Sequence, residues 1–219
     1  MVLSSTKLKT RDIAIVTSLA DELLENEHRQ RLLEGMSHAV AAKGYADTTI
    51  ADIVREAAVS RRTFYEHFAT KAECLVALYE AASHNALKVL QGAIDPSHEW
   101  QTQVEHALAA YLACMASNPV LMRTLFVEIL GLGAQGLAAR RRVNQEIADF
   151  MLAVINAPKG ARKGPRRAGQ PLSPEMAMAV VGGINELVLQ YIEQDRVARL
   201  QELVGPASRL VRAAAGAAP

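Results

Sequence analysis

The 219 residues carry a formal charge of +1, are 50% apolar and only 5% aromatic. That balance excludes wholesale disorder and any chain-wide bias toward polyanions, and a chain rich in Ala, Leu and Val favours helices over sheets. Two cysteines, Cys74 and Cys114, without C-x-x-C spacing, exclude a disulfide framework, argue against a zinc site and fit a reducing cytoplasm.

In chain order, Ile13, Val16, Ala20 and Leu23 step by three and four, which predicts a short extra helix inside an N-terminal extension, residues 1–28. The apolar run there is too short to span a membrane and lacks a cleavage site, so a cytoplasmic protein with no membrane partner is expected. Leu32, Met36, Ala39 and Val40 predict a helix that stops near Gly44. A compact helix follows, with Ile50, Ile53, Val54 and Ala57 on one stripe and Thr49 as N-cap, answered three residues later by Asp52. A second short helix runs from Ser60 to Ala69. Thr70 with Glu73 then forms a capping box for a long helix through Leu75, Leu78, Tyr79, Leu87 and Leu90.

Beyond this point Asp95-Pro96, Asn118-Pro119 and Ser173-Pro174 each set a cap residue before a proline, which marks three helix starts. Helices are expected near 97–117, 119–132, 135–157, 174–194 and 197–214, with a kink in the last at Gly205-Pro206. The stretch 158–173 holds Lys159, Arg162, Lys163, Arg166 and Arg167 among prolines and glycines, and reads as a flexible basic loop. The fold class is therefore all-α: a three-helix unit at 29–75, and a larger helical domain at 76–219.

The most informative run is Thr48 to Lys71. It reads as helix, tight turn, helix and capped third helix, a helix-turn-helix. Val59, Phe64 and Phe68 have a core to fill, which leaves Ser60, Arg61, Arg62, Thr63, Tyr65 and His67 free to face outward. A recognition helix offers its N-terminal residues to base edges, where the arginine fork is the commonest partner of guanine. Between Arg29 and Lys71 there are seven Lys/Arg against five Asp/Glu, so arrangement rather than net charge marks the site.

From paired threonines at 48–49 through V-S at 59–60, F-Y-E-H-F at 64–68 and Lys71, this run resembles the TetR family of transcription regulators over roughly Arg29 to Leu78. The resemblance implies that Arg61, Arg62 and Thr63 face bases, that Thr49, Tyr65, His67 and Lys71 grip phosphates, and that Phe64 and Phe68 are structural. It also implies a homodimer that represses from a palindromic double-stranded DNA operator and is released by a small, apolar effector. One departure is Ala58, where the family usually has glycine; an alanine at positive φ costs on the order of 1 kcal/mol. Lys7, Lys9 and Arg11 either form an arm into the minor groove or belong to a frayed tail.

Trp100, Tyr111, Met115, Met122, Phe126, Phe150 and Met151 are candidates for lining an effector cavity, or are plain core. Val181, Ile184, Asn185, Val188 and Tyr191 on one stripe, with Leu200, Val204 and Val211 on the next, are candidates for a dimer seam. Asn185 suits either the seam or the polar end of a ligand. His98 and His106 sit two turns apart on their expected helix, too far for one metal, and no H-E-x-x-H occurs. No catalytic motif, metal site or cofactor is expected. Two other readings stay open: a small helical enzyme on this scaffold, and a protein-interaction module.

Overall fold

The computed structural model describes residues 10–157 and 171–216, with side chains from residue 24 onward. Among them the fold is all-α, with no strand. The chain divides into two compact units, Met1–Cys74 and Leu75–Pro219.

The first unit contains α1 (Thr10–Asp47), α2 (Ile50–Ala57), α3 (Arg61–His67) and the opening of α4 (Lys71–Gly92). The helix expected within residues 1–28 is not a separate element. From Thr10 onward it is continuous with its successor, because no glycine or proline stands between Asp21 and Glu34 to break it. The true break comes at Gly44, whose φ of 78° and ψ of 162° suit glycine alone. Leu32, Leu33, Met36, Val40, Ile53, Phe64 and Phe68 form the buried interior of this unit. Gly35 lets α2 press onto α1, since a Cβ there would stand 2.7 Å from the Ile53 carbonyl oxygen.

The second unit holds the rest of α4, then α5 (Trp100–Ala116), α6 (Pro119–Phe126), α7 (Ala134–Ile155), α8 (Pro174–Glu193) and α9 (Val204–Ala214). Packing of α7 on α8 and of α5 on α9 builds the core around Val104, Leu108, Ala148, Val180, Ile184 and Val211. Asn118 and Ser173 cap α6 and α8 with the following prolines in the first turn. Asp95-Pro96, by contrast, starts no helix. The Asp95 carboxylate accepts from the Ser97 N–H at 2.9 Å and closes a local turn, so α5 begins only at Trp100.

Two further expectations are corrected. The helix foreseen over 119–132 tightens to a 3-10 segment at Glu128–Leu132, where Gly131 and Gly133 weaken α-winding. The last helix is likewise divided: Val197–Leu203 is 3-10 and α9 starts at Val204. Pro206 then falls in the first turn of α9, where its missing N–H leaves no gap. The basic residues foreseen in the loop, and Lys7 and Lys9 of the arm, lie outside the described residues. The side chain of Asn156 bonds both the N–H and the C=O of Leu172, at 2.9 Å each, joining the end of α7 to the approach to α8. No single helix among the described residues is long and apolar enough to cross a membrane.

Candidate nucleic-acid interface and interior cavities

In the first unit the turn between α2 and α3 is built from its caps. Thr49 accepts from the Asp52 N–H at 3.2 Å, and Asp52 accepts in return from the Thr49 N–H at 2.9 Å. Lys43, Arg55 and the Thr49 hydroxyl also converge on Asp52. The Lys43 ammonium, helped by the Thr49 hydroxyl and N–H, holds that carboxyl well below the usual carboxylate range. At the far end Ala58 takes the left-handed conformation, φ 51° and ψ 45°. Arg31 secures this corner, its guanidinium donating to the carbonyls of Ala57 (3.0 Å) and Ala58 (2.7 Å).

Ser60 then caps α3, accepting from the Thr63 N–H at 3.0 Å. Phe64 is fully buried and Phe68 nearly so, which fixes the rotation of this short helix. Arg61, Arg62 and Tyr65 are exposed, Tyr65 at 57% with its ring edge-on to Phe64 at 5.6 Å. Arg62 lies along its helix, paired with Glu66 at 3.0 Å. Thr63 and His67 are half-buried beside them; the Thr63 hydroxyl sits 2.9 Å from that of Ser60, and the His67 ring meets His28 edge-on at 6.5 Å.

Two of the residues expected to grip phosphates also hold the frame of this unit. All three protons of an ammonium can be accounted for at Lys71, which donates to the carbonyls of Tyr45 (2.9 Å), Ala46 (3.2 Å) and Thr48 (2.8 Å). Its charge also rests over the Tyr45 ring at 4.3 Å. Lys71 thus closes the end of α1. The Thr49 hydroxyl likewise donates to Asp52 at 2.6 Å. Arg31 and Lys43 were not foreseen, because each acts on backbone or side chains brought near only by the fold.

Cys74 is fully buried and its thiol is pushed up to about 12 by desolvation, so it offers no reactive thiolate.

The second unit holds two cavities, each partly open to solvent. The first, about 80 Å³, is lined by Trp100, Tyr111, Phe150 and Met151, together with aliphatic residues of α5, α7 and α8. The second, about 40 Å³, is lined by Tyr111, Met115, Met122 and Phe126, with Ser83, Arg140 and Asn144. Each of the seven cavity candidates therefore faces one void or the other. Tyr111, Ile147 and Asn185 line both. Burial raises the Tyr111 phenol far above its ordinary range.

The seam candidates fare differently. Val181, Ile184, Val188, Leu200 and Val211 are each buried in this chain's own interior, and Asn185 donates to Asn144 at 2.9 Å. These six are corrected from seam to interior. Helix α8 is apolar nearly all round, and its inner stripe is the one the periodicity had picked out. Tyr191 and Val204 remain half-buried, the Tyr191 hydroxyl donating to Glu202 at 3.0 Å. The outward side of α8 and α9 instead presents Met176 (50% exposed) and Leu210 (36%), with Gly182 open to space.

His98 precedes α5 rather than lying on it, and its ring meets His106 edge-on at 5.7 Å. Among the described residues no group of three metal-ligating side chains occurs.

Residues 33–78 match the family described as bacterial regulatory proteins, tetR family. A curated relative, an uncharacterized HTH-type transcriptional regulator, YxbF of Bacillus subtilis (strain 168), is 31% identical over 94 residues, 42% of this chain. The aligned part is 25% of that relative, so this chain spans about a quarter of its length. Among solved structures, a putative TetR-family regulator from Syntrophomonas wolfei aligns with TM-score 0.69 at 20% identity, covering 87% of this chain and 96% of the other. FadR of Bacillus subtilis, solved in complex with stearoyl-CoA, aligns with TM-score 0.64 at 16% identity over 83% and 96%. At such identities these structures establish a shared fold.

Proposed function

From the match of residues 33–78 to the tetR family of bacterial regulatory proteins, we propose that this chain is a ligand-responsive transcription regulator of that family, a repressor that binds a palindromic operator as a homodimer. The observation that carries this reading is the face of α3. Arg61, Arg62 and Tyr65 stand exposed around the first turns of this short helix, while Phe64 and Phe68 anchor it in the core. Arg61, Arg62 and Thr63 read bases, while Ser60, Tyr65 and His67 contact the adjoining backbone.

Two copies pair through the outer side of α8 and α9, around Met176, Gly182 and Leu210. The two recognition helices then meet half-sites centred roughly 34–36 Å apart, or a multiple of that. The effector is a small molecule that enters the interior cavities and shifts the helix opening at Lys71, changing operator affinity. It acts only to the extent that it prefers one state over the other. The stearoyl-CoA bound by the Bacillus subtilis FadR supports this, as a fold of the same kind accommodating an acyl ligand.

Fluorescence anisotropy with DNA from upstream of the gene, against random DNA across a salt series, tests the proposal. Selective binding is expected, and Arg62→Ala should weaken it by about 1–3 kcal/mol while relaxing base preference. Equal, weak binding to both DNAs across several candidate upstream fragments would overturn it.

A further inference from the structure

The two cavities differ in chemistry and share a wall. Apart from Asn185, the first is lined by aliphatic and aromatic side chains and holds no ionisable acid or base except the Tyr111 phenol. The second brings Ser83, Asn144 and Asn185 together with Arg140, the one formal charge lining either void. Tyr111, Ile147 and Asn185 belong to both, so the voids lie side by side. A half-buried guanidinium lining such a pocket is a ready partner for an anion. The fold supplies none: among the described residues Arg140 has no ion pair, while on the same two helices Glu80 is taken by Arg142 and Glu146 by His84. Nor does a phenolate serve, since burial holds the Tyr79 hydroxyl near 12 and the Tyr111 hydroxyl higher still. Both phenols remain donors, which an incoming oxyanion can use.

We infer that the two cavities form one site for an anionic amphiphile, whose apolar tail fills the first cavity and whose carboxylate meets Arg140 in the second. This rests on the effector reading above and narrows its ligand from an apolar molecule to an acid with an apolar tail. The first cavity, about 80 Å³, is roughly half of the ~150 Å³ that holds a benzene ring. The tail that fits without parting the helices is therefore a few carbons long.

The test uses the full-length protein without DNA, so its outcome is independent of whether an operator is ever found. Hexanoate, hexan-1-ol and hexylammonium share a tail and differ in head. Their binding is followed by calorimetry and by the emission of Trp100, the chain's single tryptophan and a wall of the first cavity. Hexanoate should bind at least tenfold more tightly than the alcohol, and the amine most weakly. Arg140→Met should abolish the difference between acid and alcohol while leaving the alcohol's affinity, and Arg140→Lys should retain most of it. If Arg140→Met does not fold by circular dichroism, Arg140→Gln replaces it. Equal affinities for acid and alcohol, a preference for the amine, a preference unchanged without the guanidinium, or no saturable binding of hexanoate by folded protein would each overturn the inference.

Discussion

An alanine at φ 51° occupies the corner of the helix-turn-helix, where a Cβ crowds the following carbonyl. The strain is held in place by Arg31, which satisfies the two carbonyls that the left-handed residue exposes. Ala58→Gly should therefore stabilise the protein by about 0.5–1 kcal/mol, the relief of strain exceeding the added freedom of the unfolded chain. Urea unfolding would measure it, and a loss of stability would contradict the assigned backbone. Lys71 offers a second residue-level test. With its ammonium on three carbonyls, Lys71→Met should lower stability by about 2 kcal/mol and leave the dependence of DNA affinity on salt unaltered. A clear drop in that slope would place the lysine in the phosphate-binding set as well. The two residues illustrate what a sequence discloses. Ala58 was legible as a departure from a glycine position, whereas the task of Lys71 was not, because its partners lie 23 to 26 residues back along the chain.

At the scale of elements, the start of α2 depends on a charged cap. The Asp52 carboxyl sits well below its ordinary range because Lys43 and Thr49 bind its ionised form. A group whose folded value is depressed contributes stability above its unfolded value, about pH 4, and loses it as pH falls toward the folded value. The first unit should thus weaken progressively below about pH 4. In Asp52→Asn the protein should be less stable at neutral pH and its acid-side loss shallower, as followed by circular dichroism during acid titration. An unchanged acid limb would exclude Asp52 as a source. The caps themselves were readable: Thr49, Ser60, Asn118 and Ser173 each open a helix as their types predict. The 3-10 segments at 128–132 and 197–203 were not, since apolar periodicity cannot separate three residues per turn from 3.6 over so short a length.

For the molecule as a whole, the face of α8 was the part least open to sequence reasoning. Valines and isoleucines appear on more than one side of that helix, and only the packing of α7, α9 and the 197–203 segment decides which side goes inward. Pattern alone selected Val181, Ile184 and Val188, which the chain keeps for itself. The residues that line the cavities were easier to pick out, as large, flexible or aromatic side chains clustered on α5, α6 and α7, although the pattern alone suited plain core equally. The pairing surface proposed on the outer side leads to a further expectation. Leu210, whose Cδ2 stands 3.3 Å from the place of a Gly183 Cβ, is exposed enough to change without disturbing the core. Leu210→Glu should move sedimentation toward the monomer and lower operator affinity tenfold or more while helicity is kept. Retention of a dimer would place the seam elsewhere.

The fastenings of the first unit have a consequence for how such a chain can vary. Arg31 and Lys71 grasp carbonyl oxygens of residues 45, 46, 48, 57 and 58, groups that every amino acid supplies. Drift at those positions leaves these bonds available, and the outward residues at 61, 62 and 65 take no part in them. Lineages descending from this protein, or libraries built on it, can rewrite the reading surface while the frame beneath stays fastened.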